Sequence, residues 1–238
     1  MRALLLALLL WNAGALAQTP PSLDGTPVST NSGGSSGVQT SPTITTTGSA
    51  GILVTGVFNN SGGSVSSVVS SPALTWTQRG TGCDNGTRRT TIYTAPYTSS
   101  FSGTVTVTIS PSQFVDINVF AVKGSAASPF DANGPVCATP GGGANGASMT
   151  TATNHVFVFC NMGLAGGGYT AGTGWTTIAG TSGFQAVEYQ TASGGGSFTC
   201  TVAGGGSVDA GTIDAFTADT AGGGGGISGS MMLTGIGQ

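Results

Sequence analysis

Residues able to do acid–base chemistry are scarce in this chain. Its 238 residues include a single histidine, His155, a single glutamate, Glu188, and a single lysine, Lys123. A glycosidase needs two carboxyl groups facing one bond, so Glu188 would require an aspartate partner across the fold. Glu188 neighbours Tyr189 on a strand and takes the opposite face from it. His155 opens a strand and reads as a strand-edge residue rather than a general base. Asp116 and Asp209 hold matching places in two similar stretches, which favours a strand-entry role. The sequence Gly33-Gly34-Ser35-Ser36-Gly37 has the spacing of a nucleophile elbow but lies in a low-complexity stretch.

Ligand-holding motifs are equally thin. Gly141-Gly142-Gly143 and Gly166-Gly167-Gly168 lack the helix and lysine of a phosphate loop. Cys83-Asp84-Asn85-Gly86 offers one acid where Ca²⁺ asks for several oxygens, so it reads as a turn. Asn85-Gly86-Thr87 and Asn59-Asn60-Ser61 match glycosylation sequons and also read as turns. No cofactor or metal is expected. The binding argument rests on aromatic and basic side chains in expected loops: Tyr97, Tyr169, Arg88 and Arg89. Trp76 and Trp175 recur at matching positions and read as core anchors.

The elements that would position these residues are strands. Gly103 to Ile109 alternates Thr with Val and Ile, a period of two that sends one face to a core and the other to water. Two stretches correspond. Leu74-Thr75-Trp76-Thr77, Ile92-Tyr93, Gly103 to Ile109 and Val115-Asp116 are echoed by Gly174-Trp175-Thr176-Thr177, Val187-Glu188-Tyr189, Gly196 to Val202 and Val208-Asp209. The expected fold is all-β, an antiparallel sandwich of jelly-roll or Ig-like type built from two pseudo-repeated halves. The halves are placed at 43–124 and 148–218, with an irregular connection over 125–147. One fused sandwich is preferred to two tandem domains, because each half alone would be a marginal core.

Only 5% of the residues are charged, 43 are glycine and the net charge is −3. So little basic charge excludes an electrostatic nucleic-acid footprint. Met1-Arg2, the apolar run Ala3 to Trp11 and Ala15-Leu16-Ala17 have the pattern of a cleaved secretory signal, residues 1–17, with Gln18 as the mature N-terminus. No transmembrane segment is expected once it is removed. Residues 18–42 read as a flexible Ser/Thr/Gly/Pro linker and 219–238 as a Gly-rich tail. Export permits disulfides. Of the three connectivities, Cys160–Cys200 with Cys83–Cys137 is preferred, since the first two share a strand face with Val158 and Val202 and the others lie in loops.

Taken together, Leu74 to Arg79, Ile92 to Pro96, Ser102 to Val107, Ser128-Pro129-Phe130-Asp131, and Val187 to Gln190 followed by Gly194 to Thr199 resemble a family of secreted bacterial and phage-associated β-sandwich proteins. The resemblance spans approximately Thr43 to Ala218. It implies an all-β extracellular or virion-surface domain and brings no catalytic residues with it. Arg79 follows Trp76, whereas the second stretch has Ile178 there, so any role of the arginine belongs to one half. The expected function is a non-enzymatic exported module for adhesion or glycan binding at a cell surface. A virion structural or decoration protein is the alternative, and a polysaccharide hydrolase using Glu188 the weaker one.

Overall fold

The computed structural model describes residues 18–34, 36–60, 62–138, 145–166, 169–178, 184–203 and 207–219. The expected signal segment, most of the C-terminal tail and the Gly141 cluster lie outside the described residues.

Thr-Val alternation does form the strand it implies. Ser102–Ser110 buries Val105, Val107 and Ile109 and leaves the threonines between them half exposed. The described strands, in chain order, are β1 (Ser22–Leu23), β2 (Val28–Asn31), β3 (Val38–Thr40), β4 (Ile44–Thr45), β5 (Gly51–Asn60), β6 (Ser64–Ser71), β7 (Thr77–Asp84), β8 (Arg88–Tyr97), β9 (Ser102–Ser110) and β10 (Val115–Lys123) in the first half. The second half holds β11 (Ser125–Phe130), β12 (Val136–Cys137), β13 (Asn145–Thr150), β14 (Val156–Leu164), β15 (Thr170–Ala171), β16 (Thr176–Thr177), β17 (Gln185–Ala192), β18 (Ser197–Ala203) and β19 (Val208–Ala218). All pairings are antiparallel, and no helix of the described residues is long and apolar enough to cross a membrane.

Each half is a sandwich of one outer and one inner sheet. The first inner sheet runs β10-β5-β8-β7, with β1 and β2 against β10; the second runs β19-β14-β17-β16, with β11 and β12 against β19. The outer sheets are β3 and β4 with β9 and β6, and β13-β18-β15. The two inner sheets then pack against each other. Strand β14, Val-Phe-Val-Phe-Cys-Asn-Met-Gly-Leu, shows why. Val156, Val158, Cys160 and Met162 enter the core of their own sandwich, while Phe157 and Phe159 enter a third core shared with Ile52, Val54, Phe120 and Val122 of the first half. A strand buried on both faces tends to a continuous apolar run, as in Ile52-Leu53-Val54 of β5 and Val156 to Cys160 of β14, whereas β10 and β19 bury polar side chains as well, Asp116 and Asn118 in one and Thr212 and Asp214 in the other. The expectation of one fused sandwich core is thereby replaced by two sandwich cores and a joining layer.

Polar groups complete that joining layer. Asn118 donates to Gln185 (2.7 Å), and Gln185 donates to Gly56 O (2.9 Å) and to Asn161 Oδ1 (2.8 Å). Asn161 donates in turn to Val57 O and Thr91 O, both at 3.2 Å. Gly56 admits this amide because a Cβ there would stand 3.0 Å from Asn161 Cγ. These side chains are fully buried, so each hydrogen bond offsets a desolvation cost rather than adding much stability by itself.

Both disulfides form with the preferred pairing, Cys83–Cys137 and Cys160–Cys200. The second lies inside the second core; the first ties β7 to β12 and so joins the halves. Two disulfides suit an oxidising compartment.

Two boundaries are corrected. Residues 18–42 are not a free linker: β2 pairs with β10, and β3 with β9. Edge strands are held by backbone hydrogen bonds, which composition does not reveal, and Asp24 anchors the entry. Residues 125–147 are not wholly irregular either, since β11 and β12 pair with β19 and β13 with β18. Similarly, Gly80 to Cys83 belongs to β7, bent where Gly80 and Gly82 take φ of 66° and 79°.

A candidate ligand groove between the halves

Strand β11 borders an opening between the halves. It meets β19 only at Ser125↔Ala218 and Phe130↔Phe216, and the residues between swing off the sheet. Pro129, which has no N–H to give to a ladder, lies in that departing stretch. Between the bulge and the first inner sheet lies a groove of about 920 Å³. One wall carries Thr77, Gln78 and Arg79 of β7, Thr94 and Pro96 of β8 and Lys123 of β10; the other carries Ser125, Ala127 and Phe130 of β11.

Both cations of the groove are held by buried carboxylates. Arg79 donates Nε to Asp214 Oδ2 (3.0 Å), and Nη2 to Asp214 Oδ1 (3.2 Å) and Gly134 O (3.3 Å). Its guanidinium also lies 3.8 Å over the Phe130 ring centroid, a cation–π contact. Burial raises the Asp214 pKa above the ordinary carboxylate value, although Arg79 works against the rise. At the other end Lys123 Nζ stands 3.4 Å from Asp24 Oδ1.

Asp24 collects donors from three directions: Thr47 N (2.9 Å), Gly48 N (2.9 Å to Oδ2) and Tyr97 Oη (2.6 Å), besides the Thr47 hydroxyl. Burial pushes its pKa up, but these hydrogen bonds outweigh burial and hold the carboxyl well below its usual range. Tyr97 is shifted far upward by burial, by its bond to Asp24 and by that negative charge. Asp131 plays a similar part in the second half, accepting from Ala152 N, Thr153 N and the Thr153 hydroxyl. Asp24 and Asp131 were missed in the sequence, although each is followed within four residues by Pro27 or Pro135 and could have been aligned on that basis.

The four expected contact residues are not brought together. Tyr97 is 3% exposed and its hydroxyl is engaged, so it forms part of the groove's wall and cannot be an exposed contact. Tyr169 is not an exposed loop residue either. It packs on the second core and donates to Val187 O (3.0 Å), and burial, with the nearby Glu188 charge, pushes its hydroxyl up to about 12. Arg88 lies at the far end of β8 from Tyr97, bonded to Asn60 (2.7 Å) and 3.5 Å from Asp209. Arg89 donates to Thr81 O at 3.4 Å. In both tyrosines an aromatic ring found better burial than a loop position suggested.

Glu188 is fully buried, and its two oxygens accept from Gly172 N and Thr201 N, each at 3.2 Å. These bonds tie the second inner sheet to its outer sheet. Burial raises its pKa to about 7 against those two bonds. His155 sits just before β14 at φ 54°. Asp116 is buried within β10, whereas Asp209 reaches Arg88, so the two aspartates do not share one environment. The Asp84 loop is a turn: Asp84 Oδ1 accepts from Gly86 N, and Asn85 Oδ1 from Thr87 N and Arg88 N. No group of three or more His, Cys, Asp or Glu among the described residues could hold a metal ion. Trp175 is buried in the second core, and Trp76 packs on the first.

Compared with known proteins, the chain matches no family model, no curated protein and no solved structure.

Proposed function

We propose that this chain is an exported surface module that binds an uncharged, hydroxyl-rich ligand, a glycan segment, in the groove beside β11. The observation that carries this reading is the pairing of both groove cations with buried carboxylates. A cation so neutralised offers little attraction to an anion but leaves N–H groups for a neutral acceptor. Around it lie the hydroxyls of Thr77, Thr94 and Ser125, against the apolar surfaces of Ile52, Pro96 and Phe130. That mixture of apolar floor and few oriented polar groups is what a small-ligand site requires. The two disulfides support placement outside the reducing cytoplasm.

A glycan array probed with the full chain, followed by titration calorimetry on any hit, tests the reading. Thr77→Ala and Ser125→Ala should weaken binding by about tenfold, while Tyr169→Phe should leave it unchanged. Absence of binding to every glycan, or undiminished binding by the Thr77 and Ser125 variants, overturns it.

A second reading, a virion structural or decoration protein, is favoured by one observation. Strands β3, β4, β6 and β9, and likewise β13, β15 and β18, contain no ionisable side chain other than the disulfide-bonded Cys200. Uncharged outer sheets suit lateral packing in a shell. Purified particles retaining Met1 would support this reading, and secreted material beginning at Gln18 would support the first.

A further inference from the structure

Sheet edges expose unpaired N–H and C=O groups that template pairing with another chain, and proteins blunt them by shortness, bulges, charge or proline. Nearly every edge strand among the described residues is blunted. β1, β4, β12, β15 and β16 have 2 residues each, β3 has 3 and β2 has 4. β11 leaves its partner in the middle, and β13 shifts register between Asn145 and Ser148. β7 is long but carries Arg79 and Asp84, shifts register between Arg79 and Cys83, and is clamped by the Cys83–Cys137 disulfide.

β6 has none of these protections along most of its length. It has 8 residues, Ser-Val-Ser-Ser-Val-Val-Ser-Ser, without charge or proline. It pairs on one side with β9. Its single irregularity, between Val65 and Ser67, lies near the start, and Ser67–Ser71 runs in regular register against Thr108–Thr104. Val69, at 53% exposure, is one of two large hydrophobics exposed among the described residues, and the other, Val38, lies on the same outer sheet.

We propose that β6 is a homotypic docking edge, at which the β6 strands of two copies pair antiparallel about a twofold axis centred on Val69. The two outer sheets then become one continuous sheet. The charge pattern argues for a second copy as the occupant. No charged residue lies between Asp24 and Arg79, and none lies in β9. A copy therefore meets no like charge at this edge, while a charged partner finds no counter-charge. Centring on Val69 sets Val69 beside its counterpart, Val68 opposite Ser70 and Ser67 opposite Ser71, so side chains of the same sheet face meet. The isologous contact closes at a dimer. β15, which pairs with β18 as β6 does with β9, has only 2 residues and offers no second long edge from which a filament could grow.

Sedimentation velocity on the full chain over a concentration series tests the proposal. A species of twice the chain mass is expected, in a proportion insensitive to salt. Val69→Lys sets two ammonium groups against each other at the axis and should raise the dimer dissociation constant by about tenfold or more. At dilutions where the wild type is monomeric, its thermal midpoint should equal the wild-type value, because Val69 is exposed. Val69→Cys should give a covalent dimer on oxidation, and Thr40→Cys, on the far side of the same sheet, should not. A monomer at all concentrations, undiminished association of the Val69→Lys variant, or equal cross-linking by Val69→Cys and Thr40→Cys overturns the proposal.

Discussion

Arg79 on β7 closes in a fork on Asp214 of β19, with Nε 3.0 Å from Oδ2 and Nη2 3.2 Å from Oδ1, and so bridges the two inner sheets. The carboxylate has no solvent exposure and the guanidinium little, so neither partner can be removed without leaving the other poorly solvated. Arg79→Ala is expected to destabilise the protein by about 3–5 kcal/mol, the cost of an uncompensated buried charge. Urea unfolding checks this, and the Arg79→Ala/Asp214→Asn double variant should recover part of the loss.

Glu188 predicts a pH dependence. Its folded pKa, about 7, lies above the ordinary value of 4.5, so the folded state holds the proton longer than the unfolded state does. The neutral carboxyl thus favours folding fully below about pH 4.5, and this contribution is lost as pH rises to about 7. Measured by urea unfolding from pH 4 to 8, the stability of Glu188→Gln relative to wild type should rise by about 3 kcal/mol. A difference flat in pH would remove the assignment.

The two disulfides should differ in accessibility. Cys137 is exposed, whereas Cys160 and Cys200 are fully buried. Thiolate attack needs access to sulfur, so graded reductant under native conditions should open Cys83–Cys137 first. Alkylation and mass spectrometry read the order. Removing either bridge by paired Cys→Ala substitution should cost about 4 kcal/mol in the chain-entropy model.

The joining layer is testable through Phe157, which is fully buried and stacks on Tyr189 at 4.9 Å. Phe157→Ala should destabilise by about 3–5 kcal/mol through the cavity it leaves. Val69→Ala, on the exposed edge, should stay within about 0.5 kcal/mol of wild type in monomeric protein. Equal effects would mean that the inner sheets do not share a core.

Local signals in the sequence were sufficient for the all-β class, for β9 and for the core placement of Trp175. A period of two depends only on neighbouring residues, and so it survives without knowledge of the partners. The Cys160–Cys200 pairing was legible for the same reason, since both cysteines share a face with valines of the second core. Which face of β14 meets which neighbour was not legible: Phe157 and Val158 are both apolar, and only the packing of the inner sheets separates their cores. The edge strands of 18–42 escaped notice because backbone hydrogen bonds hold them, whatever their side chains. Tyr97 looked like an exposed loop residue until the fold delivered Asp24 to its hydroxyl, and Arg79 had no evident role until β19 brought Asp214 against it. Strand character is written in adjacent residues. The groove, the buried ion pair and the free β6 edge depend on which distant strands come together, and that was decided by tertiary structure alone.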